Sequence, residues 1–242
     1  MRFVLVDLSQ GARTTNGESM TPELLARIAN AANVFLNRDF GTHWGGNFSV
    51  RAGAGANDLQ PGEVPFALLP TVPAPGAIAY HDWSNTGPTL WDAITLSDSI
   101  LGLGNSVSVA ITHELAECAG DTPCNLWADD GSGTEHAYEL CDSVESNSYS
   151  LLGVGCSDFV LPAFFEPGSV GPYNFMTAAG LGGLPPSAPF ATAPGGYQIL
   201  RTAGEGRHNV SASYMTGDTM RWQGRASKRQ HAASRATRRG LT

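Results

Sequence analysis

The segment His113-Glu114-Leu115-Ala116-Glu117 places three ionisable side chains on one predicted helix. His113 and Glu117 are four residues apart, so their side chains lie on the same helix face, one turn apart. This spacing lets an imidazole nitrogen and a carboxylate oxygen bind the same metal ion. Glu114 lies about 100° round the helix from His113, where it could act as a base beside that ion. The pattern therefore indicates a cation site with a general base next to it.

An ordinary amphipathic helix is the alternative interpretation of these residues, and their surroundings favour the cation site. The residues before the motif are apolar, and a buried cluster of His and Glu needs a compensating charge. A segment with many carboxylates follows at residues 135–145. Glu139 comes 22 residues after Glu117, far enough for the chain to loop back and supply a third ligand. His136 is the alternative third ligand.

The rest of the chain predicts an α+β fold with a mixed sheet of about four or five strands and two main helices. One helix is predicted over residues 22–38, with Thr21 as N-cap. The other begins after an N-cap at Asn105 or Ser106, carries the motif and ends at Gly120. Strands are predicted over residues 2–8, 47–53, 64–72, 77–83 and 92–98.

The C-terminal half is rich in Gly and Pro and predicts mostly loops. Residues 148–165 alternate as a hairpin that turns at Gly153 to Gly155. We expect one domain over residues 1–200, an extension over 201–220 and a basic tail over 221–242.

Composition narrows the class of protein. With 242 residues, 42% of them hydrophobic, the chain can bury a core. The N-terminus does not resemble a signal peptide, and no apolar run approaches the roughly 20 residues of a membrane span. We therefore expect synthesis in the cytoplasm and no membrane contact. Phosphate-loop, G-x-S-x-G and dinucleotide-binding patterns are absent.

The cysteines and the charged tail are the other features of the composition. The four cysteines form no C-x-x-C pair: Cys118, Cys124, Cys141 and Cys156. We expect them to be reduced and buried, and bridges within the first two and within the last two are the alternative. The net charge is −8, yet residues 221–242 hold seven basic residues and no acid. This tail predicts salt-sensitive contact with a polyanion, and a solvated chain end is the alternative.

A longer pattern surrounds the motif. It reads H-E-x-x-E from His113, E-x-C-D from Glu139 and S-D-F-x-x-P-x-F from Ser157, with "FLNRDFGTHWG" upstream at residues 35–45. This pattern resembles a family of uncharacterised phage and bacterial proteins that is similar in layout to the zincin metallopeptidases. The resemblance covers roughly residues 1–200.

The resemblance implies a role for each matching residue. His113 and Glu117 would be metal ligands, Glu139 the third ligand and Glu114 the general base. Asp142 would contact His113 and orient its ring, and His136 would be the alternative third ligand. The element order of strand, helix, strands and metal helix also matches a zincin scaffold.

The glutamate at position 117, where zinc peptidases have a second histidine, changes the chemistry of the site. One imidazole and two carboxylates carry a charge of −2, which would neutralise Zn²⁺ and weaken its effect on a bound water molecule. Zn²⁺ remains the favoured cation, with Ca²⁺ or Mn²⁺ as alternatives. The sequence therefore predicts a bound cation more strongly than efficient peptide hydrolysis.

Three further residues are weaker candidates for substrate contact. His81 lies on a predicted strand and could line a cleft beside the metal helix, although a surface pair with Asp82 is the simpler interpretation. Tyr149 and Tyr173 could stabilise an oxyanion, as tyrosines do in some zincins. Most tyrosines only pack in the core with a solvated hydroxyl.

Two functional hypotheses follow. The first is a zincin-like metalloprotein of phage or prophage origin that hydrolyses a peptide substrate. The second is a non-catalytic virion structural or decoration protein with a structural or relic metal site. In the second hypothesis the basic tail docks the protein on other phage structural proteins or on a polyanion.

Overall fold

A computed structural model describes residues 1–72, 77–84, 87–202 and 211–214. It confirms the predicted α+β class. The described residues form a mixed five-stranded sheet, a four-stranded antiparallel sheet, a two-stranded hairpin and two long helices. The basic tail, residues 221–242, lies outside the described residues. Within them, no helix is long and apolar enough to cross a membrane.

The five-stranded sheet comes from the first half of the chain. Its strands are β1 (Arg2–Asp7), β2 (Ser49–Ala52), β3 (Glu63–Leu69), β4 (Ala79–Ser84) and β5 (Gly87–Ala93). The spatial order is β2-β1-β3-β5-β4. The first four strands in this order run parallel to one another, and β4 pairs antiparallel with β5 at one edge.

The position of β5 corrects the strand predicted at residues 92–98, most of which forms a loop and the 3₁₀ turn Ile94–Leu96. A proline near the start of β5 hid the strand in the sequence. Pro88 is tolerated because β5 pairs with β3 only from Leu90 onward, so its missing N–H breaks no bond to β3.

The first helix is longer than predicted. Helix α1 (Pro22–Val34) continues through a π-helical segment, Phe35–Phe40, into α2 (Gly41–Trp44). The predicted end near Arg38 was wrong because Gly41 adopts an ordinary helical φ of −64°. A Cβ atom there would lie 2.8 Å from the Leu36 carbonyl oxygen, so glycine permits the wide turn. The helix ends at Gly45, whose φ of 75° is left-handed.

Helix α3 (Val107–Gly120) begins at Ser106, whose hydroxyl accepts a 3.3 Å hydrogen bond from the Val109 amide. Its residues from Val107 to Cys118 are buried on nearly every side. A helix of this kind lies inside a core rather than on a surface. The motif therefore stands in the middle of the protein.

The C-terminal half contains more strands than its sequence predicted. They are β6 (Trp127–Asp129), β7 (Thr134–Ala137), β8 (Ser148–Leu151), β9 (Val154–Ser157), β10 (Tyr197–Thr202) and β11 (Ser211–Tyr214), with a short helix α4 (Phe175–Ala178). The β8–β9 hairpin confirms the predicted turn near Gly153. Strands β6, β7, β10 and β11 form the second sheet, in the order β11-β10-β7-β6.

One face of the five-stranded sheet packs against α1 and α3 in a single core. Its apolar side chains include Phe3, Leu5, Val64, Phe66 and Leu90. The strand registers place two polar side chains on that same face: His81 is paired with Leu90, and Asp92 with Ala79. Both are fully buried, so they face the helix layer.

Candidate metal centre

Helix α3 holds the first two predicted ligands as the sequence spacing requires. His113 Nε2 lies 3.2 Å from Glu117 Oε1. Both side chains are almost inaccessible to solvent, with 5% of the His113 side chain exposed and none of Glu117. The pair is therefore a preformed nitrogen and oxygen donor set inside the core.

The segment after β7 brings further carboxylates to this pair. The Cys141 amide donates a 3.3 Å hydrogen bond to Glu117 Oε1, which fastens the segment to α3. Close approach is permitted by Gly120, where a Cβ atom would lie 2.3 Å from Leu140 Cδ1. The fold thus delivers Glu139 and Asp142 to the buried face of α3 that carries Glu117.

Asp142 contacts His113 on the nitrogen that faces Glu117. Its Oδ1 lies 3.1 Å from His113 Nε2. Ligand bonds of about 2.0 Å in a tetrahedral zinc site place neighbouring donor atoms about 3.3 Å apart. The distances of 3.1 and 3.2 Å from His113 Nε2 to the two carboxylates match this separation. Both contacts of His113 Nε2 therefore have the length expected between two ligands of one Zn²⁺ ion, and oxygens of Glu117 and Asp142 lie within 4.8 Å of each other.

The orienting role predicted for Asp142 falls geometrically to Glu145. The second ring nitrogen, His113 Nδ1, lies 3.5 Å from Glu145 Oε2. A histidine ligand usually donates its other N–H to a carboxylate, which fixes the ring and its tautomer. Glu145 was visible in the sequence three residues after Asp142, but only the fold shows which nitrogen each acid contacts.

Glu139, the predicted third ligand, belongs to an overlapping group. Oxygens of Glu117, Glu139 and Asp142 all lie within 4.8 Å of one another. Burial raises the pKa of Glu117 to about 8, and repulsion from Asp142 and Glu139 adds to the effect while His113 opposes it. A cation among these oxygens would remove the cause of this shift.

The local sequence offers no lysine or arginine to balance these acids. Between Arg51 and Arg201 the chain contains no lysine or arginine. The arginines that the structure describes direct their guanidinium groups elsewhere: Arg2 to Pro61, Arg13 to Gly17, Arg27 to Gly153, Arg38 to Asp39, Arg51 to Asp58 and Glu63, and Arg201 to Glu135. Buried carboxylates in such a setting require protons or a bound cation.

His81 joins the site from the edge strand β4. Its Nδ1 shares a 2.9 Å hydrogen bond with Glu114 Oε2 and lies 3.6 Å from Glu117 Oε2. Its Nε2 is 3.9 Å from Glu139 Oε2. The simpler interpretation of His81 as part of a surface pair with Asp82 is therefore wrong, because its ring is fully buried and contacts Glu114, the predicted general base.

Asp92 is a polar residue of this region that the sequence analysis did not single out. It is fully buried on β5, and burial, with the charge of Glu114, raises its pKa well above the usual range. An acid inside the apolar run "LWDAI" is the signal that could have found it.

The remaining candidates have contacts away from the cluster. His136 lies on β7, where Nδ1 contacts Gln198 Oε1 and the ring packs on Phe190. The Tyr149 hydroxyl donates a 2.7 Å hydrogen bond to the buried carboxylate of Asp39. The Tyr173 hydroxyl donates to the Ser169 carbonyl at 2.8 Å.

All four cysteines are free and buried. Cys141 is the one beside the centre, where its Sγ donates to the His113 carbonyl oxygen at 3.7 Å. Burial, reinforced by the Glu117 charge, raises the pKa of this thiol well above its usual range. The groups whose ligand atoms lie within 4.8 Å of one another contain only histidine and acidic residues, so the donor set consists of imidazole nitrogen and carboxylate oxygen.

Searches of protein-family models, curated proteins and solved structures find no match to this chain. The geometry of the site is therefore the basis on which function is inferred.

Proposed function

We propose that the protein is a zincin-like metalloprotein, of phage or prophage origin, that acts as a metal-dependent peptidase. The observation that carries the proposal is that His113 Nε2 lies 3.2 Å from Glu117 Oε1 and 3.1 Å from Asp142 Oδ1, while Glu117 also groups with Glu114. The order of strand, helix, strands and buried motif helix supports the zincin comparison.

The proposed ligands are His113, Glu117 and one further carboxylate, Asp142 or Glu139, so that one position stays open to water. Glu139 and Asp142 are three residues apart in the "YELCD" segment, and both have oxygens close to Glu117. One imidazole among carboxylates suits Zn²⁺ or Mn²⁺. When bound, such a cation polarises a carbonyl group and increases the acidity of water.

The other residues of the site have roles that follow from their contacts. Glu114 would take a proton from the attacking water and return it to the leaving amine. His81, hydrogen-bonded to Glu114 Oε2, would fix the orientation of that carboxylate. Glu145 would hold the His113 ring through Nδ1. His81 and Glu145 would thus each hold a side chain of the site in the orientation that hydrolysis requires.

A second candidate function is favoured by the burial of the site. The side chains of His81, Glu114 and Glu117 have no exposed surface, and Glu139 has 2%. Structural metal sites are closed in this way, whereas catalytic sites keep a position open. A non-catalytic virion protein with a structural cation would use the same residues to hold α3 against residues 139–145.

A Glu114→Gln variant separates the two candidates. Protein stripped of metal and given one equivalent of Zn²⁺ should hydrolyse members of a broad peptide panel, and the variant should lose this activity while keeping the single cation. Glu166→Gln, at an exposed glutamate, is the matched control. A wild-type protein that binds the cation but cleaves no peptide would select the structural candidate. Absence of cation binding would refute both.

A further inference from the structure

We propose that the cluster holds a second divalent cation, between His81, Glu114, Glu117 and Asp92. This cation shares the ligand Glu117 with the first cation and binds Glu114, the proposed general base. This inference rests on the proposed function because the first cation is part of it. The second site lies on the sheet side of α3, whereas Asp142 and Glu145 approach the helix from the segment after β7.

The two oxygens of Glu117 face different groups. Oε1 lies 3.2 Å from His113 Nε2 and accepts the Cys141 amide, and Oε2 lies 3.6 Å from His81 Nδ1. A carboxylate with one oxygen towards each histidine is placed as a bridge. Protein sites with two metal ions hold them about 3.5–4 Å apart, a separation that one carboxylate can span.

The second donor group is already assembled. Ligand atoms of His81, Glu114 and Glu117 all lie within 4.8 Å of one another, and all three residues are buried. The distances from His81 Nδ1 to the two glutamates, 2.9 and 3.6 Å, fall on either side of the roughly 3.3 Å donor separation of a tetrahedral zinc site. The group therefore has the composition and the size of a Zn²⁺ or Mn²⁺ site.

Asp92 is the independent observation that points to a ligand. Neither of its carboxylate oxygens has a hydrogen-bond partner among the described residues, although the residue is fully buried. The register of β4 and β5 puts it on the sheet face that also carries His81. Its carboxylate is close enough to Glu114 for their charges to interact. A buried acid in this position costs free energy unless it meets a proton or a cation.

Occupation of the second site has a functional consequence. Glu114 would then be a metal ligand, and its oxygens would no longer be available to accept a proton from water. The second cation therefore inhibits the proposed hydrolysis, and the protein should be most active at about one equivalent of cation.

Cation stoichiometry tests the proposal without an activity assay. Metal-stripped protein is titrated with Zn²⁺ by calorimetry, and the bound cation is measured by elemental analysis. We expect two cations per wild-type chain and one in His81→Gln. His136→Gln, which changes another buried histidine outside the cluster, is the matched control and should bind two. Asp92→Asn has nearly the same shape as the native residue and provides a second variant if His81→Gln does not fold; it should weaken the second site at least tenfold.

Electron paramagnetic resonance of the Mn²⁺-loaded protein gives a readout that a merely structural role would not change. A bridged pair should give a spin-coupled spectrum in the wild type, and His81→Gln should give the spectrum of isolated Mn²⁺. One cation per wild-type chain, or two in every variant, would overturn the second site and leave the first centre intact. No bound cation in the wild type would overturn the proposed function as well.

Discussion

Glu117 provides a test in which one substitution has opposite effects on the metal-free and the metal-loaded protein. Its pKa, ordinarily 4.5, is raised to about 8 by burial and by neighbouring carboxylates. The folded protein therefore keeps a proton on Glu117 at pH values where the unfolded chain has released it. Stability from this source is fully present below pH 4.5 and falls as the pH rises towards 8.

The size of this loss of stability follows from the pKa shift of Glu117. Each pKa unit corresponds to about 1.4 kcal/mol, so ionisation of the unfolded chain destabilises the metal-free fold by about 3 kcal/mol at pH 7. A Glu117→Gln side chain is neutral at every pH and avoids this cost. We expect the metal-free variant to be about 3 kcal/mol more stable than the wild type at pH 7, which is about 6–12 °C in Tm. At pH 4.5 the difference should vanish.

A bound cation should reverse the order of stability of the wild type and Glu117→Gln. The amide of Gln is a weaker ligand than a carboxylate, so Zn²⁺ should raise the Tm of the wild type more than that of Glu117→Gln. Thermal unfolding followed by circular dichroism, with chelator or with Zn²⁺ between pH 4.5 and 8, measures both effects. Glu166→Gln should change neither. Equal metal-free stability of wild type and variant at pH 7 would refute the buried-carboxylate argument, and equal Zn²⁺ shifts would refute the ligand role.

Two further predictions concern residues outside the metal centre. Asp158→Ala should destabilise the fold by about 3 kcal/mol or more in urea unfolding, because four hydrogen-bond donors lose their acceptor. These donors are the backbone amides of Phe159 and Met176 and the side-chain amides of Asn147 and Asn174. Unchanged stability would contradict this role. Tyr149→Phe should lower the free energy of unfolding by about 1–2 kcal/mol, because the hydrogen bond to Asp39 is lost, and should leave Zn²⁺ stoichiometry unchanged. A large fall in peptide hydrolysis at unchanged stability would instead favour the oxyanion role.

Local features of the fold were predictable from the sequence because their signals are local. Thr21 and Ser106 cap the two long helices, as short hydroxyl side chains at such positions do. The hairpin at Gly153 follows from alternation around a glycine with left-handed φ. The predicted end of the first helix and the predicted position of β5 were wrong, at a glycine and a proline respectively. Gly41 continues the helix with an ordinary helical φ, and Pro88 lies inside β5 at a position where the strand makes no bond to β3.

The second sheet could not be predicted from local features of the sequence. Strand β7 pairs with β10, more than sixty residues later in the chain, and neither strand alternates strongly enough to be distinguished from a loop. Pairing over such a separation depends on the packing of the intervening chain and not on the residues of either strand.

The sequence by itself determined that His113 and Glu117 lie side by side, because a helix fixes the separation of residues four apart. It also determined that the Glu114 side chain projects beside the helix face that carries His113 and Glu117, and that a segment with several acids follows. Only the tertiary structure decided which acids meet which nitrogen. Asp142 reaches His113 Nε2 because Gly120 allows Leu140 to approach α3, and Glu145 lies beside Nδ1. His81 and Asp92 share one face because of the register of β4 and β5. Register and close packing depend on the whole core, so they cannot be deduced from the spacing of residues along the chain.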